Sequence, residues 1–175
     1  MNFSKQNVEE VRILLSSILE HPKVQLMKQH IQHGDVSTYE HCMNVAITSY
    51  ILSKKIPLSF ETKELLRGAI LHDFFLYDWH GKRIGKEGLH CFTHSKIALE
   101  NAEKYFSLST KERDIVRNHM FPATLFHAPT CREAVVVCIA DKICAFVETF
   151  EVGLLNGMWL FLFQKNIFHR KEDKL

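Results

Sequence analysis

The chain has 175 residues, of which 46% are hydrophobic and 24% are charged, and its formal net charge at pH 7 is +2. This length is enough for one domain with its own hydrophobic core, and the composition is ordinary for a globular protein. The nearly neutral charge gives no reason to expect a nucleic-acid polymer or an acidic membrane surface as a partner.

Cysteine and histidine are the residue types that carry information about chemistry. The five cysteines form no CxxC pair, which argues against a zinc ribbon or a secreted disulfide framework. The first residues lack the apolar core of a signal peptide, so we expect a cytoplasmic protein. Eleven histidines are unusual, but histidine also serves as a proton shuttle or as polar filler, and the count alone decides nothing.

The periodicity of apolar residues predicts helices separated by short polar turns, with no alternating strand. An apolar stripe from Val8 to Leu19 indicates the first helix, and Pro22 suits the first turn of the second. The further helices are predicted at about 22–32, 38–55, 60–72, 94–106, 110–119 and 131–150. Capping boxes mark three helix starts, at Ser37 with Glu40, Ser109 with Glu112 and Thr130 with Glu133.

Two segments stand out between and after these helices. Residues 74–92 are the longest irregular stretch, and a loop of this length inside a helical domain is usually functional. Residues 152–163 are apolar apart from Asn156 and two glycines, yet too short to span a bilayer. We therefore expect a buried helix or a homodimer interface there, rather than a helix on a membrane surface.

Asp141 is the most informative single residue. It follows an unbroken apolar run at 135–140, and its helical neighbours three and four positions away cannot pair with it. A buried carboxylate without a partner is costly, so the partner must come from elsewhere in the fold. The dipeptide His72-Asp73, at the end of another apolar stretch, is the obvious candidate. We interpret these features as parts of one buried metal site.

Further ligand-type residues fit this interpretation. His41 lies one turn into its helix, in line with Val45 and Leu52, and should face the core. Together, five predicted helices place six such residues at inward positions or helix ends: His41, His72, Asp73, His94, His119 and Asp141. Helical bundles build metal centres in this way. Imidazole and carboxylate donors without thiolate suit iron, manganese, nickel or zinc.

The ordered series His41…His72-Asp73…His94…His119…Asp141 resembles the HD-domain superfamily of metal-dependent phosphohydrolases, over about residues 35–150. The resemblance implies an all-α, compact, single-domain helical bundle. It implies one or two divalent transition metals, with iron or manganese favoured and nickel, zinc or magnesium as alternatives. The first metal would be held by His41, His72, Asp73 and Asp141. Asp73 would bridge to a second metal held by His94 and His119, as in the two-metal subtype.

The extent of the resemblance divides the chain into three parts, and residues beside the predicted ligands could take part in catalysis. Residues 1–34 would pack as N-terminal helices on an HD core at 35–150, followed by an apolar helix and charged tail at 151–175. Asp73 would act at the metals, and Asp78 could be a general acid or base, or simply a loop carboxylate. Three basic residues could receive an anionic substrate or remain solvated: Lys82, Arg83 and Lys142.

The substrate cannot be carried over from the best-known relatives. Some two-metal relatives have lysine three residues after the HD dipeptide, where this chain has Leu76, and no GYP sequence follows. We therefore expect a hydrolase of a small phosphorylated molecule, for example a nucleotide. Two alternatives stay open: a mixed-valent di-iron oxygenase with the same ligands, and a non-catalytic binding domain stabilised by metal.

Overall fold

The computed structural model describes residues 5–77, 90–124 and 128–150. This part of the chain contains seven α-helices, so the predicted all-α, single-domain fold is confirmed. The helices are α1 (Lys5–Leu19), α2 (Pro22–Leu26), α3 (Thr38–Lys55), α4 (Thr62–Leu71), α5 (His90–Tyr105), α6 (Thr110–Asn118) and α7 (Arg132–Phe150). None of the helices in these ranges combines the length and apolar content that crossing a membrane requires.

The segment between α2 and α3 differs from its prediction as one long helix. Helix α2 ends at Leu26 and is followed by a single 3₁₀ turn at Met27–Gln29. The chain then forms a short antiparallel hairpin of strands β1 (Ile31–His33) and β2 (Val36–Ser37). Gly34 takes the turn at a φ of 55°, a conformation that glycine adopts at little cost. The prediction of no strand was therefore wrong. Strands of two or three residues are too short to show an alternation of apolar and polar side chains in the sequence.

Two of the three predicted capping boxes are confirmed, at Ser37 with Glu40 and at Ser109 with Glu112. The third, at Thr130 with Glu133, is wrong. Glu133 instead accepts hydrogen bonds from the Glu61 amide at 3.0 Å and from Lys111 Nζ at 2.9 Å. Partners distant in sequence have replaced the local cap, which no local pattern can reveal.

Helix α3 lies centrally and packs against both α4 and α7, while α4 also contacts α6 and α7. Helix α5 packs mainly on α6, and α1 covers α3 and α4. Large side chains fill the space between these helices and are almost completely buried, among them Leu15, Tyr50, Leu65, Ile70 and Ile115. The resulting core lies between the inner faces of α3, α4, α6 and α7.

A close approach of α4 and α6 depends on Gly68. A Cβ atom at this position would lie 3.0 Å from both Cβ and Cγ2 of Ile115, closer than ordinary packing allows. One helical turn later along each helix come His72 and His119. An ion pair of 2.5 Å between Arg67 and Glu112 joins the same two helices. The absence of a side chain at Gly68 therefore sets how closely these histidines meet.

Candidate metal centre

The first group of donor atoms brings together residues from α3, the end of α4 and α7. His41 Nε2 lies 3.1 Å from Asp141 Oδ1 and 3.8 Å from Asp73 Oδ2. His72 Nε2 lies 3.3 Å from Asp73 Oδ2 and 3.6 Å from Asp141 Oδ1. All four side chains are buried. We call these four residues the first donor group.

The second group lies on the other side of Asp73. His94 Nε2 and His119 Nε2 are each 3.4 Å from Asp73 Oδ1 and 2.9 Å from each other. Helix α5 begins at His90, so His94 sits one turn inside the helix rather than at its start. Asp73 thus offers Oδ2 to the first group and Oδ1 to the second. We call Asp73, His94 and His119 the second donor group.

The donor atoms fit a transition metal. Nitrogen and carboxylate donors lie about 2.0–2.2 Å from such an ion, which places neighbouring donors roughly 3–3.5 Å apart. The contacts within both groups fall close to this spacing. Two donor atoms, His72 Nε2 and Asp73 Oδ1, are buried and have no hydrogen-bond partner within the described residues. Buried polar atoms are rarely left in this way unless an ion or water satisfies them.

The second nitrogen of the ring fixes the orientation of two histidines. His72 Nδ1 donates to the Ala69 carbonyl at 2.7 Å, and His119 Nδ1 donates to the Val116 carbonyl at 2.9 Å. These carbonyls belong to the last turns of α4 and α6, where carbonyls lack partners within the helix. Since a carbonyl can only accept, Nδ1 must carry the proton. In the neutral ring, Nε2 then has a lone pair free to bind metal.

Glu148 supports His41 in a way that the sequence interpretation missed. Its Oε2 lies 2.6 Å from His41 Nδ1, and its Oε1 accepts from Asn44 Nδ2 at 2.9 Å. A carboxylate behind a metal-binding histidine orients the ring and increases its basicity. Glu148 lies seven residues after Asp141, two turns along the same face of α7. That spacing in an apolar helix was the signal that could have identified it.

Gln32 is a second residue that the sequence interpretation missed. Its Nε2 donates to Asp73 Oδ2 at 2.7 Å, and its Oε1 lies 3.4 Å from Thr38 Oγ1. Gln32 belongs to the hairpin, and its predicted place at the end of a helix concealed this contact. The hairpin therefore positions the shared carboxylate.

The buried carboxylates of the cluster need positive charge close to them. Burial alone would raise the pKa of Asp73 and of Asp141, but the neighbouring histidines outweigh it and hold both pKa values well below the ordinary range. Burial lowers the pKa of His41, yet Glu148 and Asp141 outweigh this and raise it to about 10. Buried carboxylates persist only with a compensating cation, which protonated imidazoles or bound metal can provide.

The remaining predicted site residues have different outcomes. Lys142 lies beside the cluster, where its ammonium donates to the His119 carbonyl and lies 3.1 Å from Asp141 Oδ2. Its role in substrate binding stays a prediction. Asp78, Lys82 and Arg83 lie outside the described residues, as does the apolar segment at 152–163. The predicted division at residues 34 and 150 also stays a prediction.

The backbone that leaves the cluster is held by α5. Asn101 Nδ2 donates to the carbonyls of Phe74 and Phe75, at 3.0 and 3.2 Å. Leu76 follows with a φ of 53°, which is uncommon for a residue with a side chain. Strained backbone of this kind occurs most often beside functional sites.

The helices and the buried donors together describe a helical domain with a candidate metal site, and its class follows from a comparison with known families. The model of the HD domain family matches residues 38–145, which include all six predicted ligands. The chain therefore belongs to the HD domain family, and with it to a superfamily of metal-dependent phosphohydrolases. Neither the curated proteins nor the solved structures give a match to this chain.

Proposed function

We propose that this protein hydrolyses a phosphoester of a small molecule, for example a nucleotide, with one or two divalent metals held by the two donor groups. The observation that supports this most is the sharing of Asp73, whose two oxygens face separate sets of imidazole nitrogens. Binuclear sites that cleave phosphoesters share ligands between their metals in this manner. The mixture of imidazole and carboxylate favours iron or manganese.

Bound metal would supply two things, a water of lowered pKa as the nucleophile and positive charge for the phosphate oxygens. The residues of this chain would position the donors in advance. Gln32 holds Asp73 through a hydrogen bond of 2.7 Å, and Glu148 holds His41 through one of 2.6 Å. Donors that are fixed before binding lose less conformational entropy when they coordinate an ion.

The other predicted residues would bind the substrate and transfer a proton to its leaving group. Asp78 follows Asp73 by five residues and would protonate the leaving group. Lys82, Arg83 and Lys142 would neutralise the phosphate, since charge-assisted hydrogen bonds to phosphate are strong. Of these three, Lys142 lies within the described residues, and its ammonium is at the edge of the first donor group, 3.1 Å from Asp141 Oδ2.

The test measures metal content and turnover on the same samples. Protein loaded with Mn²⁺ or Fe²⁺ is assayed against a panel of phosphomonoesters and phosphodiesters, beside the variants His41→Ala and His119→Ala. We expect hydrolysis of at least one substrate by the wild type and its loss in both variants. His30→Ala is the matched control, because His30 lies outside both donor groups and should change neither metal content nor turnover.

Two outcomes would contradict the proposal. Full metal occupancy without turnover across the panel would favour a binding domain in which the metals are structural. Oxygen consumption by the iron-loaded protein, with no phosphate released, would favour the oxygenase alternative.

A further inference from the structure

Helix α7 carries apolar side chains on its solvent side as well as on its core side. The solvent-facing residues, which we call the α7 stripe, are exposed by 44, 49, 41 and 63%, in the order Val135, Ile139, Ile143 and Phe146. At 3.6 residues per turn they fall within a sector of about 80°. Other large exposed apolar residues in the described ranges lie on separate elements, as Ile13 and Leu58 do.

The opposite side of α7 is fully engaged in the fold. Asp141 and Glu148 face the donor groups, and Ala134, Val137 and Ala140 are completely buried. Helix α7 is thus apolar around most of its circumference, a pattern typical of helices covered on all sides. A continuous apolar strip on a surface marks a place where something else packs.

We propose that residues 152–163 of the same chain cover the α7 stripe. This segment is apolar apart from Asn156 and two glycines, and only Glu151 separates it from the end of α7. The stripe runs about 17 Å along the helix axis, from Val135 to Phe146. A segment of 12 residues reaches about 18 Å as a helix and up to about 40 Å when extended. The chain leaves α7 at Phe150, about 22 Å along the axis from Val135. An extended segment can therefore return along the whole stripe, whereas a helical one reaches back to about Ile139.

The covalent connection favours this occupant over a second copy of the protein. A short tether holds the segment near the stripe at an effective concentration in the millimolar range. A second copy would have to compete at the lower concentration of the protein itself. Both surfaces are apolar, and packing them together removes both from water. The inference rests on the stripe and on the sequence after it, and it is independent of the proposed enzymatic activity.

Tryptophan fluorescence tests the proposal in the full chain. Of the two tryptophans, Trp159 lies in the segment, and Trp79→Phe leaves it as the single reporter. We expect blue-shifted Trp159 emission compared with the urea-denatured protein. Ile139→Lys and Phe146→Lys should each shift it to the red and increase quenching by acrylamide. Ile13→Lys, at an exposed apolar position on α1, is the matched control and should change neither.

Three results would overturn this inference. A Trp159 emission wavelength that stays the same in both stripe variants would show that the segment packs elsewhere. Emission that shifts with protein concentration would assign the stripe to a second copy. A blue shift that requires phosphatidylcholine vesicles would assign the segment to a membrane surface.

Photo-crosslinking adds a measurement that needs no charged substitution. With benzoylphenylalanine in place of Ile139, we expect an adduct within one chain to the peptide that contains residues 152–163. Adducts between chains, or the absence of any adduct to this peptide, would refute the proposal.

Discussion

The two donor groups share Asp73 but are held in place differently. The first draws on α3, α4 and α7, which pack against one another, and His41 is supported by the carboxylate of Glu148. The second adds α5 and α6, and its His119 is positioned through the approach of α6 to α4 at Gly68. The helices of the first group all pack extensively on α3, whereas in the second group α5 packs on α6 and makes little contact with α4, the helix that leads into Asp73. We therefore expect the first group to bind metal more tightly than the second.

The largest effect should come from the residue that both groups share. Asp73→Asn keeps the shape of the side chain but removes the charge from both groups. Metal content should fall at both, and hydrolysis should fall by roughly a thousandfold or more. Elemental analysis and the phosphoesterase assay measure these. Asp35→Asn, in the exposed hairpin turn, is the matched control and should have no effect. Loss of one metal only would show that Asp73 does not bridge the groups.

Glu148→Gln should separate the groups, because His41 is the one predicted ligand to which Glu148 is hydrogen-bonded among the described residues. Losing the carboxylate behind a metal-binding histidine typically weakens metal affinity by about 10–100-fold. We expect this weakening at the first group alone, measured by calorimetric titration with Mn²⁺. Glu100→Gln, on the exposed side of α5, should leave both affinities unchanged. An equal loss at both groups would show that Glu148 does not act on the first group alone.

Gly68→Ala tests the contact between α4 and α6. The added methyl group would meet Ile115, and overpacking should cost about 1–3 kcal/mol in the free energy of unfolding, more than the gain in helix propensity. Urea denaturation measures this cost. In the double variant with Ile115→Val, the two effects should fall short of their sum, because the atom nearest the added methyl group is Cδ1 of Ile115, which valine lacks. Strict additivity would indicate that the two residues do not compete for space.

Asp114 links the helix of His119 to the helix of Asp141. Its Oδ2 accepts from the Thr130 and Cys131 amides, both at 2.8 Å, just before α7 begins. Burial alone would raise the pKa of Asp114, but these hydrogen bonds outweigh it and lower the pKa. The stabilisation is therefore complete above the ordinary aspartate pKa and is lost as the pH falls through the lowered value.

Asp114→Asn should accordingly destabilise the protein by about 1–2 kcal/mol at pH 7. The difference from the wild type should shrink as the pH falls below 4, roughly the ordinary aspartate pKa. Urea denaturation over this range measures it. Glu103→Gln, in an exposed pair with Arg113, is the control and should have little effect at either pH. A difference independent of pH would mean that the charge of Asp114 is not what stabilises α7.

Much of the helical framework was predictable, because local chemistry specifies it. The boundaries of α3 follow from the capping box at Ser37 and from Pro57 just beyond Lys55, and the structure has the same boundaries. The cost of burying Asp141 alone required a partner, and the structure places His41 and His72 within hydrogen-bonding or near-contact distance of it. These inferences needed only neighbouring residues and the cost of an unpaired charge.

Contacts between distant residues could not be predicted in the same way. Gln32 reaches Asp73, Glu148 reaches His41, and Asp114 binds the two amides just before α7. Each contact joins residues from separate elements. Each of these polar side chains looks ordinary within its own segment. The positions of most helices and the types of donor were thus determined by the sequence alone. The orientation of those donors was decided only by the tertiary structure, because it depends on how separate helices pack.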